Sequence, residues 1–210
     1  MIHLVRVEIR EAGVVRAGRR ILGGASLVLE PGTLTAVVGS DATTLLDLAA
    51  GLAPAEGFVR FDGVDVRRLG EDVLASSVAV VTSRPFVTAG SLRENVTLGA
   101  TGDEADLAEA LRIAALAPAD DPAGHRLQVG IARAVLRRPR LLVLDAPGID
   151  PGILENLAGT AITVLAATDR PGPFADRIVV LANGRVITLS RHDAEYERIT
   201  RAEPIAAAVH

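Results

Sequence analysis

Hydrophobic positions change period between Thr33 and Leu52. A short apolar, largely β-branched run over 34–38 ends at Gly39, small or polar residues follow, and Leu45, Leu46, Leu48, Ala49 and Leu52 recur at helical spacing. The pattern predicts strand, tight turn, helix. Upstream, 4–9 and 27–29 read as strands joined through a Gly- and Arg-rich segment from Gly13 to Gly24, and Pro31-Gly32 reads as a turn. Downstream, Gly57 to Phe61 is a further strand and Asp62-Gly63 a hairpin turn, so residues up to about 66 predict a small antiparallel sheet leaning on the core. Val78 to Val81 is a short apolar strand. Asp103 to Leu116 carries Leu107, Ala110, Leu111 and Ala114 on one helical face behind acidic residues that suit a helix start, and Gly124 to Arg137 predicts a second helix. Leu141 to Leu144, Ala161 to Ala166 and Ile178 to Leu181 are continuous apolar runs separated by helix-sized pieces. Strands covered on both faces read this way, which implies a largely parallel sheet. Asn183-Gly184 then predicts a hairpin into Val186–Leu189, and 192–201 a closing helix. With no internal repeat or linker, residues 1–210 are expected to form one domain.

Composition narrows the function classes. A net charge of −4 gives no electrostatic footprint for nucleic acid, although Arg137, Arg138 and Arg140 make a local basic spot. No apolar run approaches a membrane span and the first residues lack the pattern of a signal peptide, so the expectation is a cytoplasmic chain that meets the inner face of the membrane only through a partner. Cys is absent, and His occurs only at 3, 125, 192 and 210, which disfavours disulfides and a His-rich zinc site.

The 33–52 stretch has the skeleton of a P-loop, in which G-x-x-x-x-G-K-[ST] wraps backbone N–H groups around phosphates while the Lys reaches the outer ones. Here Gly39 to Thr43 is only five positions, the second Gly is absent, and Ala42 stands where the Lys would be. All 22 basic side chains are Arg, so no realignment supplies that lysine. Ser40 or Asp41 falls where the helix's unbonded N–H groups would face a phosphate. A side-chain oxygen there is expected to cap the helix, and the Asp41 carboxylate to fill the anion position itself.

Three further stretches carry a resemblance. IARAVLRRPRLLVLDAP (131–147), SLRENVTLG (91–99) and ADRIVVLANGRV (175–186) resemble the nucleotide-binding domain of ATP-binding cassette (ABC) transporters, the exporter type in particular, and the order fits nearly the whole chain. The resemblance implies an α/β fold: a P-loop NTPase (RecA-like) core with a mostly parallel sheet, a small antiparallel β subdomain, and a helical subdomain that the short 90–125 segment leaves reduced. It also implies two such domains sandwiching two ATP molecules with Mg²⁺ and driving membrane domains.

Position by position, the match to that family is uneven. No aromatic precedes the P-loop to stack an adenine, a contact worth about 1–3 kcal/mol. Ser83 stands where the family has a Gln, and LSGGQ aligns with Asp121, Pro122, Ala123, Gly124 and His125, so one Gly survives. Pro122 lacks an N–H, Asp121 adds like charge, and His125 reads as a solvated or capping residue. Asp145 matches the Asp that holds the Mg²⁺ shell, with Thr43 or Thr44 offering a hydroxyl; the same carboxylate also reads as a hydrogen-bond anchor for the shortened turn. The following Glu, which polarises water, is Ala146, a loss that typically lowers rate by about 10²–10⁴. The γ-phosphate-sensing His is Asp169, and Gly148, Ile149 and Asp150 keep a shortened trace of the loop joining the two sites.

ATP and Mg²⁺ are therefore expected to bind weakly or not at all. The first functional reading is a catalytically degenerate ABC domain, a structural or regulatory partner of a second nucleotide-binding domain or of a membrane subunit. The alternative is a working ATPase subunit with an atypical site on Asp145 and Thr43. A third is a decayed, stand-alone domain.

Overall fold

The alternation near the N-terminus runs on through the Gly- and Arg-rich segment. In a computed structural model that describes residues 4–53, 56–98, 100 and 102–201, strands β1 (Val7–Arg16) and β2 (Arg19–Leu29) form one long hairpin. Ala17 and Gly18 turn it with φ of 49° and 77°. The segment expected only to join two strands is itself strand because Ala12, Val14, Leu22 and Ala25 are all buried, and register shifts between Ile9 and Val15 absorb the irregular residues. Strand β3 (Leu34–Val38) and helix α1 (Ala42–Ala49) follow. Strand β4 (Glu56–Phe61) returns to β1, and Asp62 and Gly63, both at positive φ, lead into the short β5 (Val64–Asp65). The result is an antiparallel sheet of order β2-β1-β4-β5.

After a 3₁₀ turn at Val66–Arg68 come helix α2 (Glu71–Ser77) and strand β6 (Val78–Thr82). Two short helices, α3 (Leu92–Thr97) and α4 (Glu104–Ile113), precede α5 (Arg126–Leu136), then β7 (Leu141–Asp145), α6 (Pro151–Ala158) and β8 (Thr163–Ala167). The chain closes with β9 (Arg177–Ala182), β10 (Arg185–Ser190) and α7 (Ala194–Arg201). The second sheet has the order β10-β9-β3-β8-β7-β6 and is parallel except for β10, which the Asn183-Gly184 hairpin returns antiparallel.

Burial explains the arrangement. Every residue of β3 and β8 and Leu141 to Leu144 of β7 are buried. One face carries Val37, Val143 and Leu165 against Leu45, Leu46 and Leu48 of α1 and against Ile9, Leu27 and Val59 of the antiparallel sheet. The other carries Leu142, Leu144 and Val164 against α3, α4, α5 and α6. Each fully buried Leu or Val contributes about 1.5–3 kcal/mol, which makes α1, wedged between two sheets, a structural keystone.

Some boundaries depart from the pattern. Helix α1 stops at Ala49, Gly51 turns the chain at φ 74°, and Leu52 is 62% exposed instead of continuing the apolar face. Helix α5 begins at Arg126, leaving Gly124 and His125 outside it. Helices α2 and α3 carry little apolar periodicity; α3 is set by a capping box between Ser91 and Glu94. Gly99 of the 91–99 stretch, with His3 and His210, lies outside the described residues. Among the described residues no helix is long and apolar enough to cross a membrane.

Candidate functional site

The parallel strands place the expected residues on one edge. Val37 pairs with Ala167, Ala167 with Asp145, and Asp145 with Thr82, so the carboxyl ends of β3, β8, β7 and β6 stand level. Gly39, Thr168-Asp169, Asp145-Ala146 and Ser83 leave the sheet side by side, where open α/β sheets bind ligands.

At the end of β3 the chain turns into α1 through Gly39, Ser40 and Asp41 alone. Gly39 has φ 132°. The Ala42 amide donates to the Gly39 carbonyl at 3.4 Å and the Thr44 amide to the Asp41 carbonyl at 3.0 Å, so these two N–H groups are engaged within the turn. Asp41 is the N-cap residue by position, but its carboxylate makes no capping bond, contrary to the expectation. The reason is its backbone. Ser91, Asp103 and Asp150 cap their helices from extended conformations with ψ between 126° and −178°, which aim the side chain at the first turn's amides, whereas Asp41 has φ −104°, ψ 20°. Ser40 is exposed.

Helix α1 aims Thr43 and Thr44 differently: Thr44 is buried, and Thr43 is exposed and donates its hydroxyl to Asp145 Oδ1 at 3.2 Å. Two of the expected metal-site residues are thus brought together. Among the described residues no group of three or more His, Asp or Glu side chains is gathered as metal ligands would be. Ala146 is 1% exposed and packs in the apolar core, its carbonyl accepting from the Ile149 amide. Asp150 caps α6 through the Gly152 amide at 2.7 Å. Asp169 is partly buried and donates its amide to the Pro147 carbonyl at 3.1 Å, while the Thr168 amide reaches Val37 O at 3.0 Å; these bonds tie the ends of β3, β7 and β8 together. Ser83 is exposed just beyond β6.

The 121–125 stretch is a turn closed on itself. The Ala123 amide donates to Asp121 Oδ1, the Gly124 amide to Asp121 O and the His125 amide to Pro122 O, at 3.2–3.3 Å. His125 is at the N-cap of α5 but does not cap; its Nδ1 lies 3.0 Å from the Asp121 carbonyl, to which it donates as the Nδ1–H tautomer. Gly124 has open space about it, the nearest atoms to an added Cβ being 3.7 Å away or more.

Sequence reasoning missed two residues that organise this end of the molecule. Asn95, fully buried in α3, accepts from the Thr88 amide and hydroxyl and donates to Thr88 O and Ser91 O. Arg133 of α5 donates Nε to the Asn95 carbonyl at 2.9 Å and both terminal nitrogens to Phe86 O, with the Phe86 ring 4.5 Å from its guanidinium carbon. Burial pushes the Arg133 pKa below its ordinary value. A polar residue inside each of the runs RENV and IARA was the available signal.

Comparison with known proteins is consistent with this geometry. The family model described as ABC transporter matches residues 22–148. Similar relatives include the mycobactin import ATP-binding/permease protein IrtB of Mycolicibacterium thermoresistibile, 34% identical over 80% of this chain and 34% of that protein. The heterocyst differentiation ATP-binding protein HepA of Nostoc sp. is 32% identical over 81% of this chain and 33% of its own length. The chain therefore spans about a third of the length of these relatives. A bacterial Atm1-family ABC exporter solved with ATP bound shares the fold at a TM-score of 0.78 and 22% identity, covering 97% of this chain and 43% of that one. The match over more than half of the chain, on a RecA-like sheet whose motif positions share one edge, means that the chain belongs to the ABC transporter family.

Proposed function

We propose that this chain is a non-catalytic ABC nucleotide-binding domain, a structural or regulatory member of a transport complex. Its partner is a second ABC nucleotide-binding domain, an ABC membrane subunit, or both, which would hold it at the cytoplasmic face of the membrane. The observation that carries this reading is the shortened turn over residues 39–44, in which the Ala42 and Thr44 amides are already engaged. The family binds ATP with Mg²⁺, and the residues here fit neither group. A phosphate needs several convergent N–H donors, whereas the Ala42 and Thr44 amides bond inside the turn, Asp41 brings a carboxylate, and no lysine exists in the chain. The other half of a nucleotide sandwich fits no better, because the amides of Ala123, Gly124 and His125 are bonded within their own turn. A water-polarising carboxylate is replaced by the buried Ala146 methyl.

The second reading, an ATPase with an atypical site, draws on the Thr43 to Asp145 contact, which keeps a hydroxyl and a carboxylate beside the shortened turn. Calorimetry of the purified chain with ATP up to millimolar concentration, with and without Mg²⁺ and against ADP, separates the two. No heat of binding is expected. Micromolar, Mg²⁺-dependent binding would replace the scaffold reading with the ATPase.

A further inference from the structure

A groove at the opposite edge of the second sheet takes no part in the site described above. Its lining residues precede the strands instead of following them: Ser76 and Ser77 lead into β6, Pro139 and Arg140 into β7, and the 159–162 turn into β8. Helix α4 forms one wall with Asp106, Glu109, Ala110 and Ile113, whose i, i+3, i+4, i+7 spacing puts them on one face. The last turn of α5 forms another with Val135 and Leu136. The volume is about 930 Å³, room for a drug-sized molecule.

Each charged side chain that lines the groove already has a partner. Asp106 accepts from Arg138, Glu109 accepts from Arg112 Nε and Nη2 at 2.7 Å each, and Arg140 donates to Asp62 and, at 2.7 Å, to the Leu4 carbonyl. A charged ligand would have to break one of these pairs, whereas an uncharged one breaks none. The hydroxyls divide differently. Ser76 donates to Val73 O at 3.0 Å and Thr160 to Leu157 O at 2.7 Å, each within its own helical turn. Ser77, at the end of α2, is only 7% exposed; the Arg140 amide holds its carbonyl at 2.8 Å, but its hydroxyl makes no hydrogen bond among the described residues. Buried hydroxyls are normally bonded, so a ligand that supplies the missing partner gains from a group the fold leaves unsatisfied. The rest of the lining is largely aliphatic, from Ala110 and Ile113 to Val135, Leu136 and Ile162.

We propose that this groove binds an uncharged, largely apolar small molecule that carries one hydrogen-bonding group, its apolar body held between α4 and the end of α5 and its polar group on the Ser77 hydroxyl. The groove shares no residue with the 39–44 or 121–125 turns, so the site stands whether or not the chain binds ATP. Helix α5 runs from the 121–125 turn to the groove, and a bound molecule therefore bears on the helix that follows that turn.

The test titrates the neutral fluorophore N-phenyl-naphthylamine, which has two aromatic bodies and one N–H, into the purified whole chain and maps it by amide NMR. Expected are a saturable rise in fluorescence and shifts centred on the amides of Ser77, Ala110 and Ile162. The affinity should hold between about 0.05 and 0.5 M salt, since no charge is engaged. Neutral naphthylmethanol should displace the probe about tenfold better than naphthoate or naphthylmethylammonium, which would bring an unpaired charge. Ser77→Ala should weaken binding about threefold or more. Ala161→Trp, which sets an indole into the groove from an exposed position, should abolish it, with circular dichroism confirming the fold. Absence of saturable binding, shifts centred elsewhere, or a charged analogue that competes as well as the alcohol would each overturn the proposal. Full affinity in Ser77→Ala or in a folded Ala161→Trp would do the same.

Discussion

A Cβ built on Gly39 would stand 2.3 Å from the carbonyl oxygen of Leu181, closer than any side chain can approach a neighbouring strand. The glycine that ends β3 is therefore required by the packing of β3's end on β9, whatever the turn binds. With φ at 132° as well, a non-glycine residue there meets both clash and strain. Gly39→Ala is expected to lower stability by about 3 kcal/mol or more, while Gly124→Ala, in open space, changes it by less than about 0.5 kcal/mol. Urea unfolding of both variants checks the contrast. Equal effects would show that the chain shifts to relieve the clash at Gly39.

The Thr43 hydroxyl and Asp145 carboxylate form the closest approach to a metal site, and their link is a modest one. An exposed hydrogen bond contributes about 0.5–1.5 kcal/mol at most, so Thr43→Ala should lower the melting temperature only slightly. Millimolar Mg²⁺ should leave the melting temperature of the parent chain unchanged. A rise that Asp145→Asn abolishes would establish a metal site and favour the ATPase reading.

Much of the architecture was legible because the two periods are strong here. Leu141 to Leu144 and Ile178 to Leu181 are continuous apolar runs, and they are strands covered on both faces; Asp62-Gly63 and Asn183-Gly184 adopt the positive φ their sequence promises. Other parts were hidden by interactions that sequence distance conceals. The Gly13 to Gly24 segment looks like a plain connection between strands until Val14 and Leu22 are seen to be buried in the core with α1. Asp41 has the chemistry of a cap, and only its ψ of 20° shows that the oxygen is aimed elsewhere. At the site, the sequence offered Asp145 with Thr43 or Thr44, and the structure brings the Thr43 hydroxyl to Asp145. The closed hydrogen bonding of the 39–44 and 121–125 turns could not be read from the sequence, since it depends on which carbonyl each amide faces.

On the proposed non-catalytic reading, a carboxylate placed after Asp145 should not confer chemistry. Ala146 is 1% exposed among apolar neighbours, so Ala146→Glu must either bury a carboxylate or displace the loop that follows β7. Unpaired burial of a charged group is strongly unfavourable, and a loss of about 3 kcal/mol or more is expected, with no ATPase gained. A stable Ala146→Glu protein that turns over ATP would mean that the rest of the site is intact.

Acid stability offers a test of local electrostatics. Asp65 accepts from the Arg67 side chain at 2.9 and 2.5 Å and from its amide at 3.0 Å, and these bonds hold its carboxyl at about 2, below the ordinary 3.8. A depressed folded-state value means that the bonds stabilise the protein above pH 3.8 and that the contribution fades as pH falls from there toward 2. The Arg67 side chain is 66% exposed, so the energy is screened and small. A carboxyl-detected NMR titration should give a midpoint near 2, returning toward 3.8 in Arg67→Ala; an unchanged midpoint in the variant would dissociate the shift from this pair.

Asn95 ties α3 to the loop before it and to α5. Its side-chain oxygen holds the Thr88 amide and hydroxyl, its nitrogen holds the carbonyls of Thr88 and Ser91, and its own carbonyl anchors Arg133, which in turn holds Phe86. One buried amide thus fixes the loop from Phe86 to Ser91 against α5. Asn95→Ala leaves the partly buried Thr88 amide and carbonyl without this partner and empties a buried side-chain site, and should lower stability by about 1–3 kcal/mol. Asn95→Asp keeps the acceptor but loses the two donated bonds and buries a carboxylate, so it should be no better tolerated. The informative readout is hydrogen exchange: in both variants the amide of Thr88 should lose its protection well before those of β7 and β8. Uniform loss across the sheet would show that Asn95 supports the whole core and not this loop alone.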